Sequence, residues 1–449
     1  MCRAGVSGRR FGLAWIAYRL DSFACMKGCH MGRILWTLLG CGAAFSVCAQ
    51  DISLRHDLDG KALDTLATLV LRFNDGLKGK GRVVLQDARG LENRHVLPHL
   101  ALLDPDDSME FFGTRPRFRP LHEVMREGGQ KLDAAMFYPQ VADAADDASG
   151  RIQALPMGLA LPVLFTNRSA MRKAGLDPDQ PIKTWLDLQK VAGELYDHGE
   201  KCPLTTVRFA WIHSENVSMQ AGEPLVAKQG SAQQVLANGM VNVKHLALLA
   251  SWQKSRYFHY SGPGREGNRR FLSGECALLT GESSLYADAK RAGIDFGVTA
   301  LPHYDDVYAP RPADVLPDGA GLWVLAGYKK PEYKLAASFI SFLLRPEVQK
   351  EWVQATSYLP MTPGAVTALR DSGIPQQLLD ATQKRLSVSR KGSTRPKHGP
   401  IRDRLHEFLG EEVNFVWTTG RAAKEALDNT VRRVNAAIAP PAKTATGKR

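Results

Sequence analysis

The stretch IQALPMGLALPVLFTN (152–167) is short, apolar and punctuated twice by Leu-Pro. Proline removes a backbone N–H and keeps the residue before it out of the α region. Such a segment is expected to run extended, and its apolar content places it inside the protein. The same punctuation returns in FGVTALPHYD (296–305) and in EWVQATSYLPMT (351–362). In the last of these Tyr358 precedes Leu-Pro at the end of a helix-like run, so it must sit at or beyond the helix terminus. Three proline-marked passages split the chain into alternating blocks. That is the threading of two lobes joined by several crossing segments, and it places Tyr358 on the third crossing, facing a cleft, rather than in an ordinary core.

The blocks between the crossings carry α/β patterning. DISLRHDLDGKALDTLATLVLRFNDG (51–76) begins strand-like and continues as a helix with apolar positions Leu63, Leu66, Leu69, Val70 and Phe73. GRVVLQDARG (81–90) is a β-branched strand, so the chain opens β-α-β. From about 98 to 120 Pro, Asp and Arg erase any periodicity. In PIKTWLDLQKVAGELYDHG (181–199), Thr184 is placed to cap a helix and Asp187 to complete the reciprocal pair. GECALLTGESSLYADAKRAG (274–293) reads as a buried strand ending at a helix N-terminus near Gly281 to Ser284, where free N–H groups attract anions. GAGLWVLAG (319–327) is a glycine-bracketed buried strand. EYKLAASFISFLLRPEVQKEW is an amphipathic helix, and a helical tail is expected from about 401 to 436, with disorder over 437–449.

At 449 residues the chain exceeds one ordinary core. Its 44% hydrophobic and 23% charged residues are those of a soluble globular protein. Of the net charge of +12, residues 1–49 hold +5, six cations against Asp21, and the rest of the chain holds +7. The densest basic run, RKGSTRPKHGPIRDR (390–404), has no interleaved aromatics, which argues against nucleic acid. Five of the seven cysteines lie before residue 50. MGRILWTLLGCGAAFSVCAQD, from Met31, has a cationic start, a short apolar run and small residues up to Ala49. This is the pattern of an export signal cleaved near Ala49, with 1–30 as an upstream extension. The rival reading is a lipoprotein box, LLGC, acylated at Cys41. Only Cys202 and Cys276 remain after cleavage, and an oxidising compartment invites one disulfide between them, two buried thiols being the alternative.

Catalytic patterns are missing. His95 and His99 are separated by Pro98 and lack the glutamate of a metalloprotease motif. There is no phosphate-cradling Gly-rich loop and no nucleophile elbow. Paired acids such as Glu411 and Glu412 fit a solvated helix face. The expectation is a protein that is not an enzyme and needs no cofactor or metal.

The ordered blocks VLFTNRSAMRKAGLDPDQPIKTWLDL, GECALLT, FGVTALP, GAGLWVLAG and EWVQATSYLPMT resemble the extracellular solute-binding proteins of ABC importers, with the glycerol-phosphate-binding branch nearest. The resemblance implies a two-lobed α/β periplasmic-binding-protein fold with a multi-strand hinge. The implied lobes are 51–157 with 302–356, and 160–300 with 359–436. It implies a monomer that carries a small polar solute to the membrane permease subunits, without nucleic acid. It also implies a ligand set. Gly319 matches a cleft-lining glycine, Tyr358 matches a ligand tyrosine, and Arg402 or His406, four apart on one helix face, matches a phosphate-gripping arginine. Arg402 is preferred as a permanent bidentate cation.

Elsewhere the family pattern is broken. Leu159 and Ala160 replace hinge serines, and Glu282, with Ser283 next to it, replaces a serine at the helix start. Glu110 is a shifted match to a ligand glutamate. Gln220-Ala221-Gly222 replaces a cleft tryptophan, although Trp211 survives upstream. A carboxylate at position 282 repels phosphate, so weak glycerol-3-phosphate binding is expected, while a neutral hydroxyl-rich or cationic solute escapes the penalty. The competing reading is an exported sensor or interaction protein that has lost transport.

Overall fold

Two sheets divide the chain. The structure is a computed structural model describing residues 50–88, 97–104, 117–147, 149–229, 232–305, 315–369, 386 and 400–438. The first sheet contains β1 (Gln50–His56), β2 (Gly81–Asp87), β3 (Leu100–Leu103), β4 (Phe118–Arg119) and β5 (Leu155–Ala160). The second contains β6 (Pro162–Asn167), β7 (Leu204–Thr206), β10 (Phe258–His259), β11 (Leu278–Glu282) and β12 (Phe296–Ala300). A separate antiparallel pair is formed by β8 (Val226–Gln229) and β9 (Ala232–Val235). The last strand, β13 (Asp318–Leu325), returns to the first sheet, whose order is β2-β1-β3-β13-β4 with β5 also on β13. The second sheet runs β10-β7-β11-β6-β12.

In each sheet the neighbouring parallel strands are β1, β2 and β3, or β7, β10 and β11. Ligands of α/β sheets bind outside the carboxyl ends of such strands. The loops following β1, β3, β7 and β11 are therefore the ones that position a site.

The opening stretch resolves into two strands rather than one. β5 lies in the first sheet and β6 in the second, so the chain changes sheet at Leu161 alone. All twelve residues of these strands are buried, which is why the run is apolar without alternation.

The other two crossings fall later than the Leu-Pro signals. His303 still hydrogen-bonds into the second lobe at Lys183 and Trp185, and Tyr304 contacts His245. The Leu316 amide donates to Asn216, so the return to the first sheet begins at Asp318, not at 302. After Tyr358 the chain stays with the first lobe. The Leu359 amide donates to the Leu159 carbonyl, the Met361 carbonyl accepts from Tyr138, and helix Pro363–Leu369 packs on helix Pro346–Thr356. Among the described elements after Tyr358, Pro400–Thr419 and Ala423–Ile438 are the ones that join the second lobe. Leu-Pro marks extended backbone but not the destination of the chain; Leu301, Leu359 and Met361 are buried on whichever side they already occupy.

Local chemistry accounts for several elements. The Thr184 hydroxyl accepts from the Asp187 amide at 3.0 Å, and the Asp187 carboxylate accepts from the Thr184 amide at 2.9 Å. The expected tail is two helices, broken at Gly420, whose φ of 74° is left-handed. Helix extends through Ile438, so Ala437 and Ile438 are ordered where disorder was expected; 439–449 and the export signal lie outside the described residues. Strand β3 arises within the stretch that showed no periodicity. Among the described residues no helix is long and apolar enough to cross a membrane. Cys202 and Cys276 are joined in a disulfide immediately before β7 and β11.

The core of the second lobe holds a polar thread. His213 Nδ1 lies 2.9 Å from His245 Nε2, and His245 Nδ1 lies 2.9 Å from the Tyr304 hydroxyl. Burial, with Lys244 adding to it, brings His245 down to about 3, and burial beside His245 lowers His213 well below its ordinary value. Both rings are therefore neutral in the fold but protonate near pH 6.5 when unfolded. The stability this contributes is complete above about pH 6.5 and is lost as pH falls below it toward 3. Between pH 7 and pH 5, His245 alone is expected to cost about 2 kcal/mol. Urea midpoints measured at both values, with His245→Gln flattening the profile, check this; an equal drop in the variant rejects it.

Candidate binding site in the interlobe cleft

Asp57 follows β1 and Asp104 follows β3, at the carboxyl edge of the first sheet. Arg208 follows β7, and Glu282 ends β11, at the corresponding edge of the second. These edges face each other across a cavity of about 310 Å³ lined from both lobes. Its walls include residues 57–62, Asp104, Arg265, Glu282, Ser284 and Tyr358. A larger cavity of about 940 Å³ opens along the second lobe, between residues 260–266 and the late helix Pro400–Thr419.

Between the two runs a chain of alternating charges. Arg265 donates from Nη2 to Asp104 Oδ1 at 3.2 Å and to Glu282 Oε1 at 3.0 Å, bridging the lobes. Arg208 donates to Glu282 at 3.0 Å and also to Asp318. Asp318 accepts from Arg402 at 2.8 Å, and Arg402 donates from Nε to Glu215 at 2.9 Å. His406 Nε2 closes the series 2.7 Å from Glu215. From Glu282 to Glu215 the members are almost wholly buried, with side-chain exposures of 3% or less. Burial pushes the Glu282 carboxyl up, but the Arg265 and Arg208 guanidiniums outweigh it and hold it below the ordinary range. Burial likewise opposes the charge on Arg402, and Asp318 and Glu215 together raise it above its usual value.

Two of the four described non-glycine residues with left-handed φ lie here, the others being Lys78 and Arg256, which do not line the cavity. Arg208 has φ of 42° and Ser357 has φ of 56°, left-handed values unusual for residues with a Cβ. The Arg208 conformation is held by its amide bond to the Gly264 carbonyl at 2.7 Å, and its guanidinium lies 4.7 Å over the Trp211 ring. Ser357 caps helix Pro346–Thr356 and turns the next residue, Tyr358, toward the cavity. Such strain persists where the surroundings over-determine it, and clusters at functional sites.

The residues singled out in the sequence are brought together unevenly. Tyr358 lines the interlobe cavity, its ring stacked 6.0 Å from Trp352, and burial raises its hydroxyl well above the ordinary value. Arg402 and His406 both reach Glu215, as their spacing of four allows, so neither presents an uncommitted charge to the interlobe cavity. Glu282 points inward. Ser283 is committed to the hinge, its hydroxyl accepting from the Leu161 amide at 3.0 Å. Trp211 is fully buried, its indole donating to the Leu316 carbonyl, and supports Arg208 rather than facing a ligand. Gly319 sits beside Leu159 at φ of 145°, where a Cβ would fall 2.0 Å from the Gly158 carbonyl oxygen, so strand pairing itself demands glycine. Glu110 lies outside the described residues. His99 is occupied by Ser53 and stacked on Tyr328.

Sequence reading missed Arg208, Arg265, Asp104, Glu215 and Asp318. Arg208 and Asp318 each adjoin short apolar strands, TTV and GAGLWVL, and a charge at such a strand end was the available signal.

Residues 99–375 match the family described as bacterial extracellular solute-binding protein. The chain is 32% identical over 324 residues to the sn-glycerol-3-phosphate-binding periplasmic protein UgpB of Yersinia pestis, covering 70% of this chain and 74% of that one. It is 33% identical over 326 residues to the corresponding Escherichia coli K12 protein, covering 71% and 74%. Among solved structures, UgpB from Mycobacterium tuberculosis in complex with glycerophosphocholine superposes with a TM-score of 0.68 at 19% identity, covering 86% of this chain and 98% of that one. The cyclic alpha-maltosyl-1,6-maltose binding protein from Arthrobacter globiformis gives 0.65 at 18% identity, with the same coverage. With its two facing sheets and the cavity between them, this chain belongs to the bacterial extracellular solute-binding protein family.

Proposed function

We propose that the chain is the solute-binding component of an ABC importer, exported by the signal at 1–49 and cleaved near Ala49. It acts as a monomer, takes up a small polar solute between its lobes, and hands it to the membrane permease subunits. It has no catalytic role and binds no nucleic acid. The observation that carries this reading is the cavity lined from both lobes at the carboxyl ends of their parallel strands, with Tyr358 in its wall. A pocket whose two walls belong to different lobes closes when both touch the same ligand, which couples binding to a shape that a permease reads. The polar-walled cavity and the family membership favour this over the transport-inactive sensor.

A thermal-shift panel on the mature protein tests it. The panel contains glycerol-3-phosphate, glycerophosphocholine, maltotriose, polyols, amines and amino acids. A true ligand at 100 times its Kd adds about 2.7 kcal/mol and raises the midpoint by several degrees. A panel without a single saturable shift rejects the reading.

A further inference from the structure

Resting on that reading, we propose that the interlobe cavity selects a small solute carrying a positively charged nitrogen and turns phosphate away. The guanidiniums that approach the cleft are already spent. Arg265 is divided between Asp104 and Glu282, Arg208 between Glu282 and Asp318, and Arg402 between Asp318 and Glu215. A phosphate has to compete with those carboxylates for every guanidinium, and the one uncommitted lining cation among the described residues is the exposed ammonium of Lys61.

The cavity wall itself is acidic. Asp57, Asp59, Asp104, Glu282 and Asp288 line it against Lys61, Arg265 and Arg291, five carboxylates to three cations. Arg291 is tied to Asp288 and to the Ala355 carbonyl, which leaves Lys61 as the lining cation that makes no ion pair among the described residues. Asp57, exposed at the rim of the cavity, reports the same field: partial desolvation, and then the charge of Asp104, raise its carboxyl above the ordinary value. A second anion placed there meets the same penalty, and an ammonium relieves it.

Two uncharged groups are also waiting. Among the described residues the Tyr358 hydroxyl makes no hydrogen bond, and the buried Oδ1 of Asn268, at the cavity edge, has no partner. A primary or secondary ammonium, as in spermidine, supplies N–H donors to an amide oxygen, and a phenol ring attracts a cation, the quaternary nitrogen of choline included.

Calorimetric titration of the mature protein with choline, spermidine, glycerol and glycerol-3-phosphate is the test. Choline or spermidine is expected to bind one-to-one, at least a hundredfold more tightly than glycerol-3-phosphate. Asp57→Asn, on the exposed loop after β1, is expected to weaken the cation at least tenfold without moving thermal unfolding. Glu282→Gln, which removes a carboxylate and releases two guanidiniums, is expected to strengthen glycerol-3-phosphate at least tenfold. If that buried substitution fails to fold, Asp57→Asn carries the test. Glycerol-3-phosphate binding as tightly as either cation overturns the charge selection but leaves the solute-binding reading standing. So does binding of a neutral sugar from the thermal-shift panel when neither cation binds. Failure of every compound in both experiments sinks the two together.

Discussion

Asp318→Asn is expected to cost about 3–5 kcal/mol of folding stability, the range for removing one partner from a buried ion pair. Asp318 is fully buried and is the joint at which β13 of the first sheet meets both Arg208 and Arg402 of the second lobe. Asparagine preserves the shape and one acceptor but removes the charge that offsets two desolvated guanidiniums. The cost is therefore electrostatic rather than a cavity. Denaturant unfolding at constant m-value measures it. Combining Asp318→Asn with Arg208→Met should recover part of the loss, because the second substitution removes one of the stranded cations while Glu282 keeps its bonds to Arg265. A loss below about 1 kcal/mol, typical of exposed pairs, would show that the alternating chain does not hold the lobes together.

Removing the Cys202–Cys276 bridge is the second large effect. The cysteines are 74 residues apart, and closing a loop of that length restricts the unfolded chain by roughly 4 kcal/mol on the entropic account. The native geometry asks for little distortion, because backbone bonds already join the same segments: the Ala277 amide donates to the Cys202 carbonyl and the Leu278 amide to the Pro203 carbonyl. The bridge thus locks the register in which β7 and β11 deliver Arg208 and Glu282 to the cleft. The Cys202→Ser/Cys276→Ser pair should lower the denaturation midpoint accordingly. Because both cysteines are buried, the folded protein should resist alkylation until it is reduced and opened. Rapid labelling of the unreduced native protein contradicts the bridge.

The local grammar was legible in the residues. The Thr184–Asp187 cap depends on side chains three apart, and the 152–167 run is apolar because both of its strands are covered on both faces. Tyr358 was placed at a bend by the proline two residues on, and the helix does end at Thr356. The lobe boundaries at 302 and 359 were misread for a related reason. A Leu-Pro pair states that the backbone is extended, whereas the lobe a segment joins depends on which buried surface receives Leu301, Tyr304, Leu359 and Met361.

The amino-acid sequence by itself determined the α/β segments and the proline-marked breaks between them, since apolar period, caps and prolines act between near neighbours, while the solute-binding kind was carried by the resemblance of its ordered blocks. Which charges meet was decided by tertiary structure alone. Arg265 and Asp104 are 161 positions apart, Arg208 and Asp318 are 110, and Arg402 and Glu215 are 187. Apart from Arg402, which the resemblance assigned to a ligand, each of these reads in the sequence as a solvated charge, the commonest fate of its residue type. For Arg208, Asp318, Arg402 and Glu215 burial removes the water that would otherwise satisfy them, so each must find the opposite sign, and only the packing of the two lobes brings that partner within reach.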